Sequence, residues 1–212
     1  MFCHELVSLS PLERTEIDGR RYYTTPGGVF PSVTTVLGEK MDKTAIEEWK
    51  QRVGKEEAER VSRQATVRGS AVHKLCEDYL MNQPIDPRRV MPFNMMTFKT
   101  IKPVLDQNVD VVYGIEAPLY SKRLNTAGTT DLLARFNSIN SVIDFKTSKK
   151  QKKEEWIESY FIQAACYSMM AEELTGLEFP QIVIIISNDE YEVQTFVKKR
   201  DDYRDRVLEI FK

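Results

Sequence analysis

Two aspartates and a lysine lie within neighbouring apolar stretches of the chain, where charge needs a partner. Asp144 and Lys146 flank Phe145 in the stretch SVIDFKTS (141–148), so on a strand both charged side chains project from one face. Burying either charge alone is costly, and a bare Asp–Lys ion pair seldom offsets its own desolvation. A divalent cation beside the carboxylate would offset that cost.

A second carboxylate lies within reach of the first. Asp131 precedes Leu132-Leu133 in the previous apolar stretch. If the two stretches form a hairpin through the turn at 137–140, Asp131 lies opposite about position 145, within one residue of Asp144. Paired strands are about 5 Å apart, and two carboxylates at that distance repel unless they share a proton or a metal. The pattern therefore predicts a metal site at Asp131 and Asp144.

The elements that would position these residues follow from the apolar spacing. A hairpin around 26–28 and an extended stretch to 37 come first, and a loop is predicted at 82–92. Helices are predicted over 43–64 (a helical pair or one helix bent at Gly54), 66–81, 93–106 (interrupted near Pro103), 153–175 and 200–212. Strands are predicted over 109–121, 126–137, 141–148, 181–187 and 192–199. This order predicts an α/β fold with a mixed sheet flanked by helices.

Composition limits the classes of protein to consider. The 212 residues are 42% hydrophobic with a net charge of −2, which argues against indiscriminate coating of nucleic acid. No apolar run of about 18 residues and no signal or transit pattern occurs, so we expect a cytoplasmic location, in the host cytoplasm if the protein is viral. The three cysteines form no CxxC pair and there are two histidines, so a metal site would be built mainly from carboxylates, which favours hard cations. Phosphate-binding glycine motifs of nucleotide-binding enzymes are absent.

Four motifs occur in a fixed order: His73, Gly128-Thr129-Thr130-Asp131, Asp144-Phe145-Lys146 and Gln163-Ala164-Ala165-Cys166-Tyr167. Together they resemble the PD-(D/E)xK nuclease superfamily, and within it the RecB-like branch. The stretches PSVTTVL (31–37) and RGSAVH (68–73) are also similar to small phage exonucleases and the mitochondrial genome maintenance exonuclease. The resemblance spans residues 20–170 and implies a restriction-endonuclease-like αβββαβ core with an N-terminal helical elaboration.

The resemblance also implies a reaction and roles for named residues. It implies hydrolysis of DNA phosphodiester bonds with Mg²⁺ or Mn²⁺, in repair or recombination. The implied metal ligands are Asp131, Asp144, the carbonyl of Phe145, His73 and, as a further ligand or a plain strand acid, Glu116. Lys146 would stand beside the attacking water, Gln163 and Tyr167 would orient the phosphate or that water, and Glu77 could support His73.

Substrate contacts are predicted from local charge. Five lysines and no acid occur from Lys146 to Lys153, which indicates either a solvated loop or a path for the phosphate backbone. The candidate DNA contacts are Lys149, Lys150, Lys152, Lys153, Arg68, Lys122 and Arg123, with Arg21 a weaker one. Tyr22, Tyr23, Phe30 and Trp49 could stack on bases, although each also suits a core.

The expected substrate is single-stranded DNA with free ends, and the expected organisation is one nuclease domain. Residues 1–66 would form a hairpin and helical cover, 67–199 the catalytic core and 200–212 a closing helix. A double-strand exonuclease or a structure-specific endonuclease would share the same acids and lysine. A non-catalytic nucleic-acid-binding module is the alternative from another class.

Overall fold

The computed structural model describes residues 1–211, Ala45 through its backbone alone, as nine strands and six α-helices. In chain order they are β1 (Cys3–His4), β2 (Glu13–Ile17), β3 (Arg20–Thr25), β4 (Gly28–Pro31), α1 (Val33–Lys40), α2 (Thr44–Val53), α3 (Lys55–Leu80), α4 (Pro92–Asn108), β5 (Val109–Ser121), β6 (Thr126–Phe136), β7 (Ile139–Ser148), α5 (Glu158–Thr175), β8 (Gln181–Asn188), β9 (Val193–Lys199) and α6 (Arg204–Ile210). Lys212, the last residue of the predicted closing helix, lies outside the described residues.

A mixed sheet of six strands in the order β1-β5-β6-β7-β8-β9 forms the centre of the fold. Strands β5, β6 and β7 form an antiparallel meander, β7 pairs with β8 in parallel through the connection that carries α5, and β9 returns antiparallel. The predicted α/β class, the mixed sheet and the αβββαβ order are therefore confirmed.

The β6–β7 hairpin fixes the register on which the proposed site depends. Its tight turn has Asn137 and Ser138 at positive φ, 51° and 66°, the conformation that two-residue hairpin turns use. Leu132 then pairs with Ile143, which brings Asp131 level with the Asp144 position. The register predicted from sequence is correct to within one residue.

Two cores cover the two faces of this sheet. Helix α5 covers one face and buries Val142 of β7, whereas α3 and α4 cover the other and bury Ile143 and Phe145. Because both faces are covered, β8 is a nearly continuous apolar run, as expected for a buried parallel strand. Strand alternation consequently directs Asp144 towards the α5 face.

The stretch after Pro31 corrects one expectation. It was predicted to be extended, but Val33–Lys40 forms helix α1. The Ser32 hydroxyl accepts a hydrogen bond from the Thr35 N–H at 3.0 Å and caps the helix, and Val33 and Leu37 are buried. The N-cap and the burial of one apolar face outweigh the weak helix propensity of valine and threonine.

Two further helix expectations need correction. Helix α4 runs unbroken through Pro103, because full burial of Ile101 and Leu105 offsets the loss of one backbone hydrogen bond. Helix α5 begins at Glu158 instead of 153, since Glu154–Trp156 forms a separate 3-10 turn. Its predicted end is correct: Gly176 takes the left-handed conformation that stops a helix.

The amino-terminal region supplies a small sheet and a helical hairpin. The hairpin predicted at 26–28 joins β3 to β4, and β2, which the sequence analysis did not predict, completes a three-stranded sheet. Helix α2 ends at Val53, so the break falls at Gly54 as expected, and α3 then continues without interruption for 26 residues. The division at residue 66 falls within α3 and remains a prediction. Among residues 1–211, no helix combines the length and apolar character that a membrane span requires.

Candidate active site

Asp131 lies where strands β6 and β7 separate. Their ladder ends at the Leu132–Ile143 pair, and beyond it the Asp131 carboxylate occupies the gap. Its Oδ2 accepts the backbone N–H of Phe145 at 2.7 Å, and its Oδ1 lies 3.3 Å from His73 Nδ1 on α3. The Phe145 N–H thus donates to this carboxylate and not to a backbone carbonyl of β6. This hydrogen bond holds the Asp131 side chain next to Asp144.

Glu116 meets Asp131 from the neighbouring strand. The flanking pairs Ile115–Leu132 and Ala117–Thr130 place it across from Asp131. Its φ of 46° is uncommon for a residue other than glycine. At Glu116 the side-chain alternation of β5 is interrupted. Ile115 packs with the α3/α4 core, whereas Ala117, two residues on, packs with the α5 core. Glu116, Asp131 and His73 each offer a ligand atom within 4.8 Å of the others.

These three side chains open into a cavity of about 480 Å³. Gly69, Ser70, Lys74 and Glu77 of α3 complete its lining. Glu77 is therefore beside the site, but its ion pair is with Lys74 at 2.8 Å and not with His73. About two turns of α3 and two strand acids form this concave surface.

The charges in this cavity are strongly interdependent. Burial alone would lower the pKa of His73, yet the hydrogen bond to Asp131 raises it to about 9. Burial, and then the charge of Asp131, raises the pKa of Glu116 to about 7. Burial would raise the pKa of Asp131, but His73 and Lys146 lower it overall. The protonated imidazole of His73 balances the negative charge of Asp131. A divalent ion bound between these side chains could balance that charge instead.

Asp144 and Lys146 form an ion pair beneath α5. Asp144 is 3% exposed, and the Lys146 ammonium contacts its Oδ2. Gln163 of α5 donates to the other oxygen at 3.4 Å. Burial raises the pKa of Asp144, and the charge of Asp131 adds to this. The two aspartates are thus electrostatically linked, although Asp144 is not one of the three residues within 4.8 Å of each other.

Tyr160 is a contact of Lys146 that the sequence analysis missed. Its ring lies 5.1 Å below the lysine ammonium. Burial would lower the pKa of Lys146, but Asp144 and Asp131 raise it. The lysine is therefore charged and held between the Asp144 carboxylate and the Tyr160 ring. The position of Tyr160, three residues before Gln163 on a helix, was the available signal.

Gly128 and Tyr167, members of two separate motifs, are in direct contact. A Cβ at Gly128 would lie 2.7 Å from the Tyr167 hydroxyl oxygen and 2.9 Å from its Cε1. Tyr167 is 3% exposed. The glycine of the GTTD stretch is therefore required by the close approach of the tyrosine, which packs α5 against β6 near Asp131.

The predicted DNA contacts fall in three places. Lys149, Lys150 and Lys153 are exposed and Lys152 is half-buried in the loop after β7, while Lys122 and Arg123 are exposed in the β5–β6 turn. Arg68 on α3 pairs with Asp189 at 2.7 Å and lies over the Phe93 ring. Tyr23 and Phe30 are core residues of the small sheet. The roles of these cations and of the Phe145 carbonyl remain predictions.

Comparison with known proteins gives partial matches. No protein-family model matches the chain. The chain is similar to mitochondrial genome maintenance exonuclease 1 of Homo sapiens, with 30% identity over 133 residues that make up 58% of this chain and 38% of that protein. The Xenopus tropicalis protein of the same name is 27% identical over 155 residues, 67% of this chain and 44% of that protein. The chain thus aligns with less than half the length of these relatives.

Among solved structures, a Eubacterium rectale protein provisionally named an exonuclease aligns with the chain. The alignment covers 69% of this chain and 66% of that protein, at 13% identity and a TM-score of 0.38.

Proposed function

We propose that this protein is a metal-dependent exonuclease of the PD-(D/E)xK type, RecB-like branch, that hydrolyses phosphodiester bonds in DNA. The observation that carries the proposal is the convergence of Asp131 with His73 and Glu116 within 4.8 Å, beside the buried Asp144–Lys146 pair. Carboxylates gathered in this way repel each other unless a cation or a shared proton compensates. The similarity to relatives named exonucleases supports a nuclease.

The donor set suits a divalent metal ion. Burial and the charge of Asp131 raise the pKa of Glu116 to about 7, so a cation at this site would favour its ionised form, and two carboxylates with one imidazole suit Mg²⁺ or Mn²⁺. Asp131, Glu116 and His73 would hold the ion, with Asp144 and the Phe145 carbonyl as further ligands. When bound, such an ion supplies charge neutralisation at the phosphate and lowers the pKa of its water.

The chain's own residues do the remaining work. Lys146, held between the Asp144 carboxylate and the Tyr160 ring, carries the positive charge that would stabilise the negative charge growing on the scissile phosphate. Gln163 donates to Asp144 and holds that carboxylate in one orientation. Tyr167 packs α5 against Gly128 and sets the distance between the helix and the strand that carries Asp131.

Single-stranded DNA with free ends is the proposed substrate. The exposed lysines after β7 would follow the phosphate backbone. The alternatives are a double-strand exonuclease or a structure-specific endonuclease with the same site. A non-catalytic binding module is disfavoured, because an acidic cavity without metal repels phosphate.

The test is digestion of DNA labelled separately at each end. Linear single strands, duplexes and circular single strands are incubated with Mg²⁺, Mn²⁺ or chelator. We expect linear single strands to be degraded with either metal and circles to survive. Cleavage of circles would identify an endonuclease, and preferred digestion of duplexes a double-strand exonuclease.

Matched variants tie any activity to the site. Asp131→Asn and Asp144→Asn should abolish digestion. Asp110→Asn, which alters a β5 acid paired with Arg135 on the surface, should digest DNA normally. Activity that survives in both site variants, or that persists in chelator, would refute the proposed mechanism.

A further inference from the structure

We propose that Trp156 is a stacking platform for a nucleobase, on which a single-stranded nucleic acid rests as it approaches the site. This inference rests on the proposed function and adds a binding site to it. Trp49 is among the stacking residues predicted from sequence, whereas Trp156 falls within the helix predicted over 153–175.

Trp156 is unusually exposed for a tryptophan. It is the last residue of the 3-10 turn Glu154–Trp156, and 62% of its surface is exposed. The next residue, Ile157, is 1% exposed and belongs to the α5 core. Burial of Ile157 therefore anchors the turn, while the Trp156 indole remains in solvent. An exposed indole does not contribute to the stability of the fold and is available to a ligand.

The loop before Trp156 is held in one conformation. Gln194 of β9 makes two hydrogen bonds to the Lys152 backbone: its Oε1 accepts the N–H at 2.7 Å and its Nε2 donates to the carbonyl at 3.0 Å. The Ser148 hydroxyl donates to the Lys150 carbonyl at 2.6 Å. Preorganisation of this kind lowers the entropy that binding must overcome.

The charge around the indole suits a polyanion. The Lys153 ammonium lies 5.2 Å from the Trp156 ring centre. Lys149 and Lys150 are exposed and, among residues 1–211, have no acidic partner within 4.0 Å. The nearby acids are engaged with other residues: Glu154 is paired with Lys198, Glu155 lies 3.7 Å from Lys153, Glu158 lies 3.9 Å from Arg206 and Glu192 accepts a hydrogen bond from Gln151. Lysines that precede an exposed aromatic ring suit a single-stranded nucleic acid, because they could contact its phosphates while the ring stacks on a base.

The platform also lies close to the proposed chemistry along the chain. Trp156 precedes Tyr160 by four residues, and the Tyr160 ring contacts Lys146. Trp156 ends the turn that leads into α5, and Tyr160 lies in the first turn of that helix. A base on Trp156 would thus be bound at the end of α5 that carries the Lys146 contact.

The test measures binding with cleavage switched off by chelator. A fluorescently labelled oligodeoxynucleotide is titrated against the native protein, Trp156→Ala and Trp156→Phe at several salt concentrations. Loss of one stacking contact weakens binding by about 5- to 150-fold, and we expect this range for Trp156→Ala. Phenylalanine keeps a ring and should restore most of the affinity.

Two controls make the result specific to stacking. Leu177→Ala, which removes an exposed side chain just past the other end of α5, should bind like the native protein. In a Trp49→Phe background the remaining indole is Trp156, and its fluorescence should be quenched by the oligonucleotide. Quenching should weaken with a fully abasic strand that keeps the phosphates.

The outcomes separate this inference from the proposed function. Native affinity in Trp156→Ala, or equal quenching by the abasic strand, would overturn the platform even if DNA is digested normally. Absence of any nucleic-acid binding and digestion by the native protein would overturn both proposals. Weak binding by Trp156→Ala with rescue by phenylalanine would support the platform.

Discussion

The contact between Gly128 and Tyr167 allows a quantitative test of how α5 is held against the strand that carries Asp131. An alanine at Gly128 would place its Cβ 2.7 Å from the tyrosine hydroxyl and 2.9 Å from Cε1. Both distances are too short, and Tyr167 is too deeply buried to rotate into solvent. Overpacking of this kind costs about 1–3 kcal/mol. We therefore expect Gly128→Ala to lower the free energy of unfolding by that amount.

The assay is urea unfolding of a double-mutant cycle in chelator. Tyr167→Phe removes the oxygen that makes the shortest contact, so the double variant should recover part of the loss. A coupling free energy of at least about 0.5 kcal/mol is expected for residues in contact. In thermal scans a protein of this size should lose about 2–4 °C of Tm per kcal/mol.

A second glycine provides the matched control. Gly38 lies within α1, and a Cβ added there meets nothing within 4 Å. Gly38→Ala should therefore stabilise the protein by about 0.5–1 kcal/mol through helix propensity. If Gly128→Ala also stabilises the protein, or if its effect adds to that of Tyr167→Phe without coupling, the packing argument is refuted.

Three other predictions follow from the site and the fold. Lys146→Ala should lower the rate of DNA hydrolysis about 100-fold or more, by analogy with loss of one preorganised charge, while anisotropy shows native DNA affinity; full activity would remove Lys146 from the mechanism. The pKa of Glu116 is raised from an ordinary value of 4.5 to about 7. Ionisation of Glu116 therefore destabilises the metal-free fold as the pH rises above about 4.5. Glu116→Gln should therefore be more stable than the native protein at pH 8 by about 1 kcal/mol after allowance for solvent screening and equal to it at pH 4, and a pH-independent difference in urea midpoints would contradict this. Ser32→Ala should cost about 1 kcal/mol by removing the cap of α1, and an unchanged unfolding free energy would show that the cap is dispensable.

The strands that carry the site could be predicted from sequence because their signals are local. Apolar runs and the two-residue turn at Asn137 and Ser138 fix the β6–β7 register, and the register places Asp131 beside Asp144. The order of elements then determines that α5 lies over β7. What remained unpredicted is the division of roles within the site, since Glu116 joins Asp131 through a positive φ that no spacing rule indicates.

The errors arose where tertiary contacts outweigh local preference. Val33–Lys40 contains β-branched residues yet is helical because Ser32 caps it and its apolar face is buried. Helix α4 tolerates Pro103 because its other residues pack against the sheet. Trp156 was assigned to α5, whereas the Gln194 contacts to Lys152 hold the preceding loop and delay the start of the helix.

The uninterrupted helix α3 connects His73 of the proposed site to the distant helix α2. From Lys55 to His73 it extends about 27 Å at 1.5 Å per residue, and no break within it can absorb a tilt. Helix α2 joins the far end through Gly54. Val72 and Cys76 beside His73 are fully buried, so the imidazole lies at the anchored end of one continuous helix whose other end joins α2.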